Sequence, residues 1–318
     1  VTGLDPANDP AKDRHQTPSD RRVVPFPATM DLHSHTSRSD GILTPEALVA
    51  AAGAVGVRLL AITDHDTLAG VRELRNSGAV PAGLEVLPGI ELNSVLDEPG
   101  ARGEGEVHIL GLGVDLDDDP LEAALARQRD SRRTRFEKMV GRLREIGMPV
   151  EKALEQQPAT TDDDALGRPR LARALIACGY AASIEDAFTR HLSRGRPAYV
   201  PRQGLGPVDA IRAIRAAGGL ASLAHFSEAP DQIPFIRELM AAGLNGLEVY
   251  YRSYEPPTIA ILRDVAAELR LVATGGTDYH GDRENYAQAH AELWLPAEVE
   301  IPFRAALGIA ASRSPRLA

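Results

Sequence analysis

The chain has a single cysteine in 318 residues, no long apolar run and no surplus of positive charge. Each shortage excludes something. With Cys178 alone there is no internal disulfide, and its apolar helical setting, "ALIACGY", marks it as a small core residue rather than a nucleophile. Crossing a bilayer takes roughly twenty consecutive apolar residues, and no stretch approaches that length. The first residues also lack the basic segment followed by an apolar one that marks a secretory signal. A cytoplasmic protein with no membrane contact is therefore expected. A net charge of -10 argues against a broad basic face for duplex nucleic acid, although a focused arginine cluster can still hold a phosphate.

What is present is a rhythm. Residues 1–24 are rich in Pro, Asp, Lys and Arg without a period and read as a disordered tail in which His15 is a lone surface histidine. Beyond them seven short apolar runs recur: "ATMDLHSH", "RLLAITDH", "LEVLPGIEL", "VHILGLGV", "LASLAHF", "LNGLEVY" and "LVATGGTDYH". Most are separated by stretches with apolar positions at helical spacing and Gly or Pro at their ends, the alternation of βα units around a parallel sheet. The short link from "GIEL" to "VHILG" is hairpin-like and breaks that pattern.

Six of the seven runs end in His, Asp or Glu: His33 and His35, Asp64 and His65, Glu91, His225, Glu248, and Asp278 with His280. In an α/β barrel the carboxyl ends of the strands share one face, so side chains distant in sequence converge there. His33 and His35 are two apart and leave an extended strand on the same side. Adding Asp40, His65, Glu91, His108, His225, Asp278 and His280 makes a metal site the strong reading, since a buried structural histidine would need its own partner in each case. Mixed nitrogen and oxygen donors without thiolates suit Mn, Fe or Zn, and one ion cannot use so many ligands. Clustered cations lower the pKa of a shared water and neutralise charge growing on a phosphoryl oxygen, so ester hydrolysis by metal-activated hydroxide is the economical reading, with amide hydrolysis as an alternative.

Residues 116–200 break the strand rhythm. "PLEAALARQRDSRRTRFEKMVGRLREIG", "RPRLARALIACG" and "SIEDAFTRHL" are helical by pattern and read as an insertion between the fourth and fifth strands. The dense arginines of its first helix are expected on a solvated face, and Ser183 ahead of Glu185 and Asp186 looks like a helix start. Arg168 and Arg196 sit beside turn prolines and are open between plain surface arginines and guanidinium donors to a phosphate, where the insertion can return over the metals.

In order, "DLHSHTSRSDG", "ITDHD", "GIELN", "VHILG", "AHF" and "GTDYHG" resemble the motifs of the PHP family, the polymerase and histidinol phosphatase superfamily, and most of all its bacterial stand-alone phosphoesterases. The resemblance runs from about Met30 to Gly281. It implies a distorted (β/α)7 TIM-like barrel, formed by residues 25–115 and 201–318, with the helical insertion contributing to the substrate pocket. It implies two or three divalent ions: one held by His33, His35, Glu91 and Asp278, a second by Asp40, His65 and His280, a third by Glu91, His108 and His225. His225, Asp278, Arg168 and Arg196 are then the catalytic candidates, and Arg168, Arg170 and Arg196 the substrate contacts. Two departures stand out. Where many relatives read Gly-Arg-Pro-His this chain reads Gly167-Arg-Pro-Arg170, and the familiar Ala-His-Pro is Ala224-His-Phe226. An arginine cannot replace an imidazole as ligand or as proton donor near neutral pH.

The expected substrate is a small nucleotide, a nucleoside 3',5'-bisphosphate or monophosphate, because no broad basic track is available. Short single-stranded RNA cleaved from one end is the alternative, and a non-catalytic metal-dependent phosphate-binding protein a further one. Tyr250, Tyr251 and Tyr254 are open between lining the pocket and packing, and Asp31 between supporting the metal ligands and a structural role.

Overall fold

The computed structural model describes residues 27–96, 105–158 and 160–308. The expected tail, His15 included, the first two and last ten residues assigned to the barrel, residues 97–104 within it and residue 159 of the insertion lie outside the described residues.

Among the described residues seven strands form one sheet in sequence order: β1 (Met30–Asp31), β2 (Leu59–Ile62), β3 (Glu85–Val95), β4 (Glu106–Leu112), β5 (Leu220–Leu223), β6 (Gly246–Tyr251) and β7 (Val272–Gly276). The pairs β1–β2, β2–β3, β5–β6 and β6–β7 are parallel, whereas β4 runs antiparallel to both β3 and β5. The hairpin-like link read from the sequence is thus the point where the sheet departs from an all-parallel barrel. The chain just past β1 closes back on β7 and its extension: Leu32 N donates to Gly275 O at 3.1 Å, His35 N to Tyr279 O at 3.0 Å and Asp278 N to His33 O at 2.7 Å. The result is a mixed α/β fold around a nearly closed barrel-like sheet.

Helices cover the outside of the sheet. Before β4 come α1 (Pro45–Ala54) and α2 (Ala69–Ser77). Thr44 caps α1, its side chain accepting from Ala47 N, and Pro45 supplies a first-turn residue whose missing N–H costs nothing. Between β4 and β5 lie α3 (Asp119–Glu145), α4 (Glu151–Glu155), α5 (Arg168–Ala177), α6 (Ile184–Ala187), a π-helical turn over Phe188–Leu192, and α7 (Pro207–Ala216). Then follow α8 (Ile233–Ala241), α9 (Pro256–Leu269), α10 (Tyr286–Ala291) and α11 (Glu300–Ala306). No helix among the described residues is long and apolar enough to cross a membrane.

Two apolar clusters result. The larger joins the sheet to its covering helices, and Leu121 and Leu125 tie the first half of α3 to it. The smaller, with Met139, Leu143, Leu171, Leu175 and Leu192, lies within the helical segment. Ser183 caps α6 by accepting from Asp186 N at 3.1 Å. Cys178 is half-buried at the end of α5, not fully in a core, because the helix stops there and its Sγ faces Pro149 O at 3.8 Å. The arginines of α3 meet the expectation of a solvated face only in part: Arg127, Arg142 and Arg144 are exposed, but Arg129, Arg132 and Arg135, spaced by three, are buried along the same stripe as Leu121, Leu125 and Gln128.

Close backbone approach explains the glycine pair of β7. A Cβ at Gly276 would lie 2.4 Å from His33 N, and one at Gly275 2.4 Å from Tyr250 O. Only glycines let β7 sit tightly between β6 and β1, and that closeness delivers Asp278 to the histidines of the first strand end.

Candidate metal centre

Strand geometry supplies the ligands. Beyond β1 the chain stays extended, with Ser34 turned outward to donate to Ala61 O, which sends His33 and His35 together to the other side. Glu91 follows the same alternation in β3 alongside Asn93, and Asn93 pairs directly with His108 across the β3–β4 hairpin. His225 and Asp278 hold left-handed backbones, with φ of 30° and 49°, and Asp66 does the same at 51°. Such conformations are unfavourable for non-glycine residues and persist where neighbouring contacts hold them. Here a hydrogen bond from His225 N to Glu248 Oε2 at 2.6 Å and the bond from Asp278 N to His33 O do so.

All nine ligand candidates meet on one face of the sheet, at the carboxyl ends of the parallel strands and, for His108, at the amino end of the reversed β4. His33, His35, Glu91 and Asp278 bring donor atoms into one group, with His33 Nε2 3.3 Å from both Glu91 and Asp278 and His35 Nε2 at 3.2 and 3.1 Å from the same pair. Asp40, His65 and His280 form a second group that His35 also joins. His65, Glu91 and His108 form a third, and His225 Nε2 lies 3.1 Å from both Glu91 Oε1 and His108 Nδ1. Glu91 is central, with one oxygen facing His33, His35 and His65 and the other facing His108 and His225.

The donor set fits divalent cations. His33 Nε2, both ring nitrogens of His35, His65 Nδ1 and Glu91 Oε2 are buried without a hydrogen-bond partner, yet they converge. Unsatisfied buried donors and acceptors are costly, and this many at one point are explained together by ions that they would ligate. The electrostatics agree. Burial works against a charge on Glu91, but His65, His108 and His33 hold its carboxyl well below the usual range; His65 and His280 do the same for Asp40, and His33 and His280 for Asp278. Against burial, Glu248, Asp278 and Glu91 raise His33 well above the ordinary value, and Asp40 and Asp278 raise His280 to about 10. Burial prevails at His65, which falls to about 4. The cluster thus favours the ionised form of its carboxylates, a setting that suits bound cations.

Residues beyond the ligands fix their aim. Glu248 is fully buried and accepts from His33 Nδ1 at 2.9 Å while also taking the His225 backbone N–H, so His33 presents Nε2 to the centre. Asp31 accepts from Thr277 N, Thr277 Oγ1 and Tyr286 OH at 2.9, 2.6 and 2.7 Å, binding β1 to the segment that carries Asp278. Asp64 takes Thr36 N, Thr36 Oγ1 and Ser39 Oγ at 2.7, 2.6 and 2.7 Å, shaping the loop that ends in Asp40. Tyr251 OH donates to Asp278 Oδ2 at 3.0 Å, Tyr254 packs edge-on against Tyr251, and Tyr250 is buried against Trp294.

Two cavities flank the cluster. The smaller, of about 130 Å3, is bounded by Asp40, His65 and His108 on one side and by Arg132, Arg135, Arg168 and Arg202 on the other. The larger, of about 470 Å3, meets Asp278, His280 and Tyr251, and the two share Pro169 and Phe188. Of the three arginines singled out in the sequence, Arg168 lines the smaller cavity, its guanidinium 5.2 Å from the Phe188 ring. Arg170 is half-buried and donates to Pro158 O at 2.8 Å, and Arg196 is exposed and lines neither cavity. Arg132, Arg135 and Arg202 were missed. The available signal was the three-residue spacing of the α3 arginines in register with its apolar stripe, and for Arg202 no signal existed.

Comparison with known proteins agrees with this geometry. The PHP domain matches residues 31–113. The chain is 36% identical over 278 residues to the 5'-3' exoribonuclease Rnm of Escherichia coli, covering 85% of this chain and 91% of that protein. It is 31% identical over 262 residues to the 3',5'-nucleoside bisphosphate phosphatase of Chromobacterium violaceum, covering 81% of this chain and 89% of that one. The solved structure of a protein described as a metal-dependent phosphoesterase from Bifidobacterium adolescentis superposes with a TM-score of 0.76 at 29% identity, covering 88% of this chain and 97% of that one. Ordered strand-end ligands, a shared fold and relatives matched over most of their length lead to one assignment: the chain belongs to the PHP family of metal-dependent phosphoesterases.

Proposed function

We propose that the chain hydrolyses a phosphate monoester of a small nucleotide, a nucleoside 3',5'-bisphosphate or monophosphate. The observation that carries this reading is the meeting of the unsatisfied histidine and carboxylate cluster with a cavity walled by arginines. The Chromobacterium phosphatase is the relative that supports the substrate class. The sheet is read as the family's distorted (β/α)7 barrel with β4 reversed, and residues 116–200 as its pocket-forming insertion.

The ligand sets suit two or three ions of Mn, Fe or Zn: His33, His35, Glu91 and Asp278 for one, Asp40, His65 and His280 with His35 in reach for another, and Glu91, His108 and His225 for a third. Bound there, such ions supply the Lewis acidity that ester hydrolysis needs. Glu91 joins the sets, and Glu248 and Tyr251 keep His33 and Asp278 aimed. His225 takes the role of ligand, since its Nε2 is turned to Glu91 and His108. Arg168, at the cavity wall, holds a phosphate by its fixed fork of donors and keeps the reacting group in place.

A second reading, 5'-3' exoribonucleolysis of short single-stranded RNA, is favoured by the higher identity to the Escherichia coli enzyme. Incubating the protein with nucleoside mono- and bisphosphates and with short RNAs, Mn, Zn and Fe being supplied separately, discriminates the two. Inorganic phosphate released from the small nucleotides is expected. Mononucleotides released from RNA, with the small nucleotides untouched, would replace the first reading by the second, and saturable binding without turnover would overturn both.

A further inference from the structure

Arg173, in the middle of α5, joins the helical insertion to two loops of the barrel at once. Its guanidinium forks onto Asp282, with Nε donating to Oδ1 at 2.7 Å and Nη2 to Oδ2 at 2.6 Å, and the same Nη2 also donates to the backbone oxygen of Asp40 at 2.5 Å. The two side chains are 25% and 18% exposed, so solvent screens the pair only in part.

Both acceptors stand in the loops that carry the second group of ligands. Asp40 is a member of that group, and Asp282 follows His280, another member, by two residues. The loops are also fitted to each other. His280 Nε2 lies 3.2 Å from Asp40 Oδ1, and Ile42 N donates to His280 O at 2.9 Å. Gly281, with φ of 90°, approaches Ile42 so closely that a Cβ there would lie 2.3 Å from Ile42 Cγ1. What α5 grips is therefore the frame of one ligand set.

The start of the same helix faces the cavities. Arg168 and Pro169 line the smaller one, Pro169 lines the larger as well, and Arg173 follows Pro169 by about one turn. The larger cavity lies between Pro169, Ile184 and Phe188 of the insertion and Asp278, His280 and Asp282 of the barrel. The pairing of Arg173 with Asp282 ties those two walls together.

We propose that Arg173 is a positioning residue that couples a cation at Asp40, His65 and His280 to closure of the insertion over the larger cavity. The proposal rests on the metal-dependent reading of the cluster. With Asp40 and His280 joined through a shared cation, both acceptors of the guanidinium are fixed, so α5 is held more firmly when that set is filled. By linkage, an α5 held in place tightens the same set.

The test follows amide hydrogen exchange of α5 in the full chain with and without saturating Mn, bound ions being counted in the same samples. In the parent, Mn is expected to slow exchange in α5 by about tenfold or more, the worth of a charge-assisted hydrogen bond. In Asp282→Asn and Arg173→Gln that slowing is lost while ions remain bound, and competition with a chromophoric chelator shows one class of ion weakened by about tenfold. Arg173→Lys, which keeps the charge without the fork, falls in between. Exchange in α9, packed on β6 and β7, reports that each variant folds, and Asp282→Asn decides where Arg173→Gln does not. Equal slowing in parent and variants, or ions bound by the parent without slowing of α5, would overturn the coupling and leave the metal reading standing. A parent that binds no Mn would remove both.

Discussion

The strand-end cluster and the arginine wall lie side by side and leave opposite charges unsatisfied. In the cluster, ionised Asp40, Glu91 and Asp278 face imidazole nitrogens with no protein partner, a set completed by cations. On the wall, Arg135 and Arg202 hold unfilled donors, a set completed by an anion. A phosphorylated substrate with divalent ions answers both at once. The two regions also differ in what holds them: the cluster is built from backbone closure of the barrel, the wall from one face of α3 joined by Arg168 at the start of α5 and by Arg202 from a loop, with Asp66 gripping both Arg132 and Arg202.

If the cluster is set by its supporting residues, disturbing one should be felt as lost metal. Glu248→Gln still accepts from one partner but turns an N–H toward the other, either His33 Nδ1 or the His225 backbone N–H. Metal affinity is expected to fall about 10- to 100-fold, measured by competition with a chromophoric chelator, with the fold retained. An unchanged affinity would detach Glu248 from the site. On the wall the expected effect is smaller: Arg168→Ala should lower kcat/KM for phosphorylated substrates by about tenfold while metal content stays constant. Arg196→Ala, at an exposed position off both cavities, should cost less than Arg168→Ala, and steady-state kinetics on the two variants would break the ranking if they fell equally.

The same contrast explains what could be read from the sequence. Strand ends in a barrel share a face whatever lies between them, so His33, His35, His65, Glu91, Asp278 and His280 were legible as one site from their positions after apolar runs. Even the reversal of β4 left a trace in its short link to β3. Asp31 was read as a supporting or structural carboxylate, in agreement with its bonds to Thr277 and Tyr286, whereas the role of Glu248 was not legible, since a buried carboxylate that supports a ligand has the same spacing as one that ligates. The wall was misread because arginines on a long helix are ordinarily solvated; Arg132 and Arg135 are buried only because α3 lies over the strand ends, where Asp66, Asn93 and Glu106 meet them. Arg202 joins through a loop with no periodic pattern at all.

The central claim is that Glu91 unites several cations at the strand ends. Elemental analysis of the purified protein beside its Glu91→Ala variant tests it most directly. Two or three divalent ions per chain are expected in the parent and at most one in the variant, because each set that includes Glu91 loses its shared carboxylate. The same number of ions in both proteins, or none in the parent after Mn, Zn and Fe have each been supplied, would contradict it.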